Sequence, residues 1–311
     1  MSQDYGIKVS KPGYSITDID KNMVFSSKFQ SLKVQSRGSG SMTDSGGRLI
    51  TIAHGLAYVP MFMVHIDKVG GSNTSAILPL YFEPSDTNLQ YRDQHVVAWA
   101  DSTNLYIKAH DDFGWDYFGT NKEPGNYGFD WHGDSNYYDG IITGRAMGYD
   151  FDSAYRFMNV NYAKNASFYK AEVGLYIYYH GGGNVQTTLK GIDVDSIDSF
   201  TSVNPFSEPR TTASTTPTLD SGLGAGSMWR VGFSDQFNEI ITRSGWNGSG
   251  GNHIGAIVEN RSNSDGNYFG NVSDAASSED SGTWNGKSHL RVLRDNTLLN
   301  YKYTIFKNQL L

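Results

Sequence analysis

The hydrophobic pattern of the chain is clearest around residues 51–66, where two extended apolar segments meet at a corner formed by Gly55 and Pro60. The residues from Met61 to Ile66 are apolar almost without interruption. A run this short, with turn residues before it, predicts a strand that is buried on both faces. Pro60 suits the start of that strand, because its missing N–H is not needed there. We therefore expect residues 61–66 to form the central core strand.

Shorter segments of the same kind recur along the chain, separated by turns rich in Gly, Asn, Asp and Ser. Such spacing is typical of antiparallel sheets with tight connections. No window of a dozen residues has helical apolar spacing without an interrupting glycine or turn cluster, so helix is not expected. The extended segments predicted besides 61–66 are residues 32–35, 48–52, 95–100, 105–109, 169–179, 200–206, 228–233, 239–242, 253–258, 289–293 and 301–306.

The composition favours the same fold class. Of 311 residues, 14% are aromatic, 18% are charged and 35 are glycines. Aromatic side chains fit the pleated surface of a sheet, and glycine supplies the tight turns between strands. We predict an all-β, antiparallel β-sandwich of jelly-roll or lectin-like type, with two β units and an extended N-terminal arm.

The glycine run Gly181–Gly183 is the predicted domain boundary, because nothing apolar spans it and Gly-rich segments are flexible. It gives an N-terminal arm at residues 1–35, a β-sandwich domain at 36–183 and a second β domain at 184–311. An alternative remains open, in which the final strand completes the first sheet and residues 181–285 form a large insertion.

Charge and cysteine content narrow the function classes. The net charge is −7 and the basic residues are scattered, so the basic surface typical of a nucleic-acid-binding protein is not expected. The chain has no cysteine, which excludes disulfides and thiolate chemistry. It shows neither a signal-peptide pattern nor an apolar run long enough to span a membrane, so we expect neither export by a signal peptide nor membrane insertion.

The candidate chemical groups are few. His54 lacks a second histidine or a carboxylate at short spacing, so a role in a turn or an interface is expected rather than catalysis. A group of carboxylates could hold calcium or hydrolyse sugars, but the spacing supports neither, and we predict no metal site, no cofactor and no catalytic residues. That group comprises Asp111, Asp112, Asp116, Asp130, Asp134 and Asp139.

Residues 111–155 show no clear strands and are predicted to form a long, ordered aromatic loop on the surface. Aromatic rings among Asp and Asn side chains can bind sugars or anchor a subunit contact, and the simpler interpretation is a local core of their own. The predicted receptor or partner contacts are Trp115, Tyr117, Phe118, Tyr127, Trp131, Tyr137 and Tyr138.

Several segments resemble a family of tailed-bacteriophage virion proteins. The resemblance rests on residues 5–13 (YGIKVSKPG), residues 25–29 (FSSKF), residues 32–34 (LKV) and residues 54–60 (HGLAYVP), and it returns at residues 301–309. Residues 54–60 are also similar to a segment in the β-sandwich of H-type lectins and of some phage fibre heads. The resemblance implies a β-rich particle component that attaches to the virion through its N-terminal arm. The residues predicted for that attachment are Tyr5, Ile7, Val9, Pro12, Phe25 and Phe29.

We therefore expect a structural component of a virion, assembled in the host cytoplasm and without enzymatic activity. A tail fibre or tail-tip protein that contacts the host surface is preferred. A capsid decoration protein is the alternative, and a polysaccharide depolymerase is a remote one. The expected partners are other virion proteins, further copies of the chain in a symmetric homo-oligomer such as a trimer, and a host cell-surface glycan.

Overall fold

The structure is a computed structural model of the chain. It describes residues 8–15, 23–26, 33–68, 75–78, 95–111, 113–119, 136–138, 141–145, 151–157, 159–179, 184–198, 203, 205–220, 222–223, 227–248, 251–260, 268–269 and 288–307.

In these residues the secondary structure is mostly strand, with the α-helix α1 (Ser234–Thr242) and a short 3-10 helix (Pro205–Ser207). The strands, in chain order, are β1 (Lys8–Ser10), β2 (Met23–Ser26), β3 (Lys33–Thr43), β4 (Leu49–Ala53), β5 (Met61–Lys68), β6 (Ser75–Leu78), β7 (Val96–Ala100), β8 (Asn104–Ala109), β9 (Trp115–Gly119), β10 (Asn136–Tyr138), β11 (Ile141–Arg145), β12 (Phe151–Phe157), β13 (Lys170–Tyr179), β14 (Val185–Ile192), β15 (Arg210–Thr215), β16 (Thr218–Leu219), β17 (Met228–Gly232), β18 (Ile254–Asn260), β19 (Tyr268–Phe269), β20 (His289–Leu293) and β21 (Thr297–Lys307).

The predicted fold class is confirmed, since the chain forms an antiparallel, all-β sandwich fold. It divides into two compact units. Unit 1 contains the described residues up to Phe113 together with those from Asn296 onward, and unit 2 contains the described residues from Gly114 to Asp295. The predicted boundary at Gly181–Gly183 is therefore wrong, because β13 and β14 on either side of it both belong to unit 2.

Unit 1 contains a four-stranded sheet in the order β3–β21–β5–β6, a three-stranded sheet in the order β4–β8–β7, and the hairpin β1–β2. The last strand, β21, lies between β3 and β5, and it pairs with β5 from Leu299–Lys68 to Phe306–Met61. This arrangement confirms the part of the alternative in which the final strand completes the first sheet. The insertion, however, begins at Gly114 rather than near residue 181.

Arg48 connects the two points at which the chain leaves and rejoins unit 1. Its Nη1 donates to the carbonyl oxygens of His110 and Phe113, both at 2.8 Å, and its Nη2 lies 2.7 Å from Asp44 Oδ1. The N–H of Asp44 donates to the carbonyl oxygen of Asn296 at 2.9 Å. The buried Arg48 and its carboxylate partner thus hold the outgoing and returning segments together within unit 1.

Unit 2 is a sandwich of two antiparallel sheets with a shared core. One sheet has the order β17–β13–β20–β9, with β19 paired to β13, and the other has the order β10–β11–β12–β18–β14–β15, with β16 paired to β14. Apolar side chains from both sheets and from α1 meet in one buried cluster, which drives their packing. Among its members are Phe118, Val173 and Leu290 from the first sheet, Tyr155, Leu189 and Val258 from the second, and Phe237 and Ile240 from α1.

The helix α1 corrects the expectation of strand at residues 239–242. Its apolar residues Phe237, Ile240 and Ile241 recur at a spacing of three and four and are all buried. The helix has only nine residues, so a search for a dozen helical residues misses it. The predicted extended segment at 200–206 is also wrong where it is described, since residues 205–207 form the 3-10 helix.

Candidate functional site

Three of the predicted contact aromatics belong to the interior. Trp115, Tyr117 and Phe118 lie in β9 with exposed fractions of 1%, 5% and 7%, and Phe118 is part of the shared core of unit 2. The expectation that they stand on a surface loop is wrong. These three residues belong to a strand of the unit 2 sandwich, and in the described part of residues 111–155 strands β9 to β12 stand where a loop without strands was predicted.

Charged side chains surround Trp115 on its face of the sheet. The guanidinium carbon of Arg291 lies 4.0 Å and the Nζ of Lys170 lies 4.8 Å from the centroid of the indole ring. Arg291 Nε also donates to Glu172 Oε2 at 2.9 Å. Burial opposes the positive charge, but Tyr117 and Glu172 outweigh it and raise the pKa of Arg291 above its ordinary value. The cluster is a structural network in which both Arg291 and Lys170 pair with Glu172.

Asp116, the predicted carboxylate that falls in β9, is used in a second such network. Its Oδ2 accepts a bond from Tyr162 Oη at 2.9 Å and one from Arg294 Nε at 2.6 Å. Burial and the charge of Asp116 raise the pKa of Tyr162 far above its ordinary value, so the hydroxyl stays protonated. The described residues contain no group of three or more His, Asp or Glu side chains placed to hold a metal ion.

The other predicted contact residues lie largely outside the described side chains. Tyr127 and Trp131 fall outside the described residues, and Tyr137 and Tyr138 lie in β10, where they pair with Ile142 and Ile141.

The predicted attachment arm is described only in part. Tyr5, Ile7 and Phe29 fall outside the described residues. Val9 lies in β1 opposite Phe25 in β2, and its side chain is exposed. Pro12 lies in the exposed turn in which the N–H of Tyr14 donates to the carbonyl oxygen of Lys11 at 3.1 Å.

His54 is a buried turn histidine. Its Nδ1 accepts the N–H of Leu56 at 3.0 Å, and its Nε2 lies 3.1 Å from the carbonyl oxygen of Asp101. Because Nδ1 accepts, Nε2 donates to the carbonyl oxygen of Asp101. The ring therefore joins the corner before β5 to the turn between β7 and β8.

The side chain of Asp101 organises the β7–β8 turn. Its Oδ1 accepts from the N–H of Thr103 and the N–H of Asn104, both at 2.7 Å, and from Thr103 Oγ1 at 2.8 Å. Its Oδ2 accepts from Tyr106 Oη at 2.9 Å. The bonds from Asn104 and Thr103 hold the pKa of the Asp101 carboxyl well below its usual range, so it is ionised at neutral pH.

An aromatic pair lies beside this turn on the outward face of the three-stranded sheet. Trp99 and Tyr106 are directly opposite each other in β7 and β8, with ring centroids 5.0 Å apart and ring planes 16° from parallel. Trp99 is 42% exposed, unlike the alternate residues Val96 and Ala98, which face the interior. We call Trp99, Tyr106, Asp101 and Asn104 the aromatic strip.

A second surface lies on the outward face of the four-stranded sheet. Val34, Phe306 and Met61 are opposite one another in β3, β21 and β5, and Met63 follows Met61 on the same face. Val34 is 46%, Met61 61% and Met63 47% exposed. We call these four residues the outer apolar patch. The expectation that residues 61–66 are buried on both faces is wrong, because only Val64 and Ile66 are fully buried.

Neither surface is among the contact residues predicted from the sequence. In residues 95–100 the strict alternation places Val96 and Ala98 on one face, which assigns Trp99 to the other. The Asp101-Ser-Thr-Asn104 turn that follows is a typical side-chain-capped turn, so its polar groups could have been placed beside Trp99. The continuous apolar run at residues 61–66 hides the outward position of the methionines, since both faces carry apolar residues.

Comparisons with known proteins leave the family open. No family model matches the chain, and no curated protein matches it. Among solved structures, the chain was compared with one of oxalate decarboxylase, which concerns the substrate binding mode and the chemical basis of a reaction specificity switch. The TM-score is 0.15 and the sequence identity is 8%, over 88% of this chain and 77% of that chain. Within the described part of the chain, no helix is long and apolar enough to cross a membrane.

Proposed function

We propose that this protein is a structural component of a tailed-bacteriophage virion, located at a tail fibre or tail tip, where it contacts the host surface. In this role the chain supplies shape and contact surface rather than catalysis. The N-terminal arm, including Val9 and Pro12, attaches to the virion, and the resemblance of residues 5–13 and 54–60 to virion proteins supports that assignment.

The outer apolar patch is the observation that carries the proposal. Large apolar side chains stand half exposed at Val34 in β3 and at Met61 and Met63 in β5, on either side of Phe306 in β21, although the opposite face of the same sheet buries Val64 and Ile66. Contiguous exposed apolar surface is a mark of protein–protein interaction, and methionine side chains adapt to the shape of a partner. A chain that assembles into a particle uses such a surface for subunit contacts.

The proposed partners are other virion proteins and further copies of this chain. A closed symmetric homo-oligomer, with a trimer preferred for a fibre, matches the symmetry of tail appendages. The networks around Trp115 and Asp116 support a non-enzymatic role, because their charged groups are paired with one another inside unit 2.

Labelled antibodies against the chain, applied to purified particles and imaged by electron microscopy, test the proposal. Labelling of tails is the expected result. Labelling of heads supports the capsid decoration alternative and overturns the tail assignment, and the absence of label from all particles overturns the virion role. The depolymerase alternative is tested separately by incubating the chain with host capsule, where we expect no release of reducing ends.

A further inference from the structure

The three-stranded sheet of unit 1 presents a graded outward face. Thr51, Tyr106 and Trp99 are opposite one another across β4, β8 and β7, and they form the middle row of that face. The row nearer the β7–β8 turn contains Ala53 and Asn104. The aromatic row thus lies directly beside the row that contains the polar Asn104. We call the first row the aromatic centre of the face, and we call the side at the β7–β8 turn its polar edge.

The aromatic centre is a flat and accessible apolar surface. The rings of Trp99 and Tyr106 are stacked at 5.0 Å with only 16° between their planes, so each limits the rotation of the other. The indole is still 42% exposed. A ring held in place by its neighbour loses little conformational freedom on binding, which favours contact with a ligand that has a flat apolar face.

The polar edge offers hydrogen-bond acceptors in fixed positions. Asn104 Nδ2 donates to Thr103 Oγ1 at 2.9 Å and to Tyr106 Oη at 3.2 Å. Both of its amide hydrogens are therefore used, and its Oδ1 is left as a hydrogen-bond acceptor. Asp101 Oδ2 accepts one bond, from Tyr106, and a carboxylate oxygen can accept another. Among the described residues, none donates to Asn104 Oδ1, so this edge suits a ligand that brings its own hydroxyl donors.

We propose that the aromatic strip binds neutral hexose units of a cell-surface glycan, with the C–H face of the sugar ring on Trp99 and sugar hydroxyls donating to Asp101 Oδ2 and Asn104 Oδ1. A pyranose has both features, an apolar face and a rim of hydroxyls. The negative charge of Asp101 disfavours sugars that carry a carboxylate. This inference rests on the proposed function, for which it names the host ligand and the contact residues.

The geometry also sets the strength of binding. The strip is an open sheet face rather than a pocket, so a single site binds one sugar weakly. Several copies in one particle raise the overall affinity for a repeating glycan by about 10²–10⁴. Adsorption through many weak sites is the expected mode.

Binding of the full-length chain to immobilised neutral hexose polymers, measured by biolayer interferometry, tests the inference. Trp99→Ala should weaken binding by about tenfold or more, since it removes the stacking surface. Tyr169→Ala is the matched control, because Tyr169 is an exposed aromatic of unit 2 outside the strip, and it should bind like the wild type. Absence of binding to neutral hexoses, binding only to acidic sugars, or full binding by Trp99→Ala would each overturn the inference.

A second measurement keeps the test independent of variant folding. In the ¹H–¹⁵N spectrum of the wild-type chain, the indole N–H signal of Trp99, assigned from its loss in Trp99→Phe, should shift on addition of the neutral hexose oligomer. An unshifted signal at saturating sugar contradicts the inference. Tail labelling without sugar binding refutes only this inference, whereas sugar binding by a chain absent from particles refutes the virion role.

Discussion

The guanidinium carbon of Arg291 lies 4.0 Å from the centroid of the Trp115 ring, on the same sheet face as the Arg291–Glu172 ion pair. Trp115 is 1% exposed, so it is a buried residue and not a surface contact residue. We expect Trp115→Ala to lower the free energy of unfolding by about 3–5 kcal/mol, as for other large-to-small core substitutions. Urea unfolding followed by circular dichroism measures this loss.

The matched comparison for this prediction is Trp99→Ala, on the outward face of unit 1. Because Trp99 is partly exposed, its removal should cost about 1 kcal/mol or less. Equal unfolding midpoints for Trp115→Ala and the wild type would show that Trp115 does not support the core.

The burial of Trp115 marks a limit of prediction from the sequence. The extended segments around Trp99, Leu105 and Leu290 were predictable, because alternation and turn residues are local signals. The burial of Trp115 was not, since Arg291 and Lys170, which lie over its ring, are distant in sequence and are brought to it by the β9–β20–β13 pairing. The polar surroundings of Trp115 in the sequence therefore indicated a surface loop.

The same limit applies to the division into units. The glycine run at 181–183 is a local signal, but the true division depends on β21 returning to lie between β3 and β5. Long-range strand pairing of this kind produces no recognisable sequence pattern near Phe113, where the chain leaves unit 1. The aromatic strip, by contrast, could have been predicted from the sequence, because the alternation of residues 95–100 assigns Trp99 to the exposed face.

Gly174 lies beneath the ring of His289 on the adjacent strand. A Cβ at Gly174 would stand 2.5 Å from His289 Cε1, and both residues are buried, so the ring has little room to move. We expect Gly174→Ala to destabilise unit 2 by about 1–3 kcal/mol through overpacking. Thermal unfolding monitored by calorimetry measures the change.

Gly232→Ala provides the control for Gly174→Ala. Gly232 lies in β17 of the same sheet, and a Cβ there meets no atom within 4 Å. Its substitution should leave the unfolding temperature nearly unchanged or raise it slightly. Equal effects at the two positions would indicate that the contact with His289 is not close.

Asp101 gives unit 1 a defined dependence on pH. Its folded-state pKa is held below the ordinary aspartate value of about 3.9 by the N–H groups of Asn104 and Thr103, so its stabilisation is complete above that value and is lost as the pH falls below it. Asp101→Asn should lower the unfolding temperature at pH 7, and the difference from the wild type should shrink as the pH is lowered below about 4. Thermal melts across this range provide the measurement.

The control for the pH dependence is Asp111→Asn, which changes an exposed carboxylate of the same unit. We expect it to follow the wild type at every pH. A difference between Asp101→Asn and the wild type that stays constant from pH 7 to pH 3 would rule out the charge of Asp101 as the source of the stabilisation.

The last strand holds the four-stranded sheet together. Because β21 pairs with β3 on one side and with β5 on the other, deletion of residues 297–311 should remove the folding transition of unit 1. Limited proteolysis should then cleave within residues 33–68. Deletion of residues 308–311, which leaves β21 whole, is the control and should preserve resistance, and resistance in the longer deletion would contradict the arrangement.

We propose that the chain acts through exposed contact surface in an assembled particle. The amount of the chain in purified particles tests this proposal when the outer apolar patch is changed by Met61→Asp with Met63→Asp. Leu49→Asp is the control, because Leu49 is a half-exposed apolar residue on the other sheet of unit 1. We predict that the double variant folds but is missing from particles, while Leu49→Asp is incorporated at the wild-type level. Incorporation of the double variant at the wild-type level would contradict a role of the outer apolar patch in particle assembly.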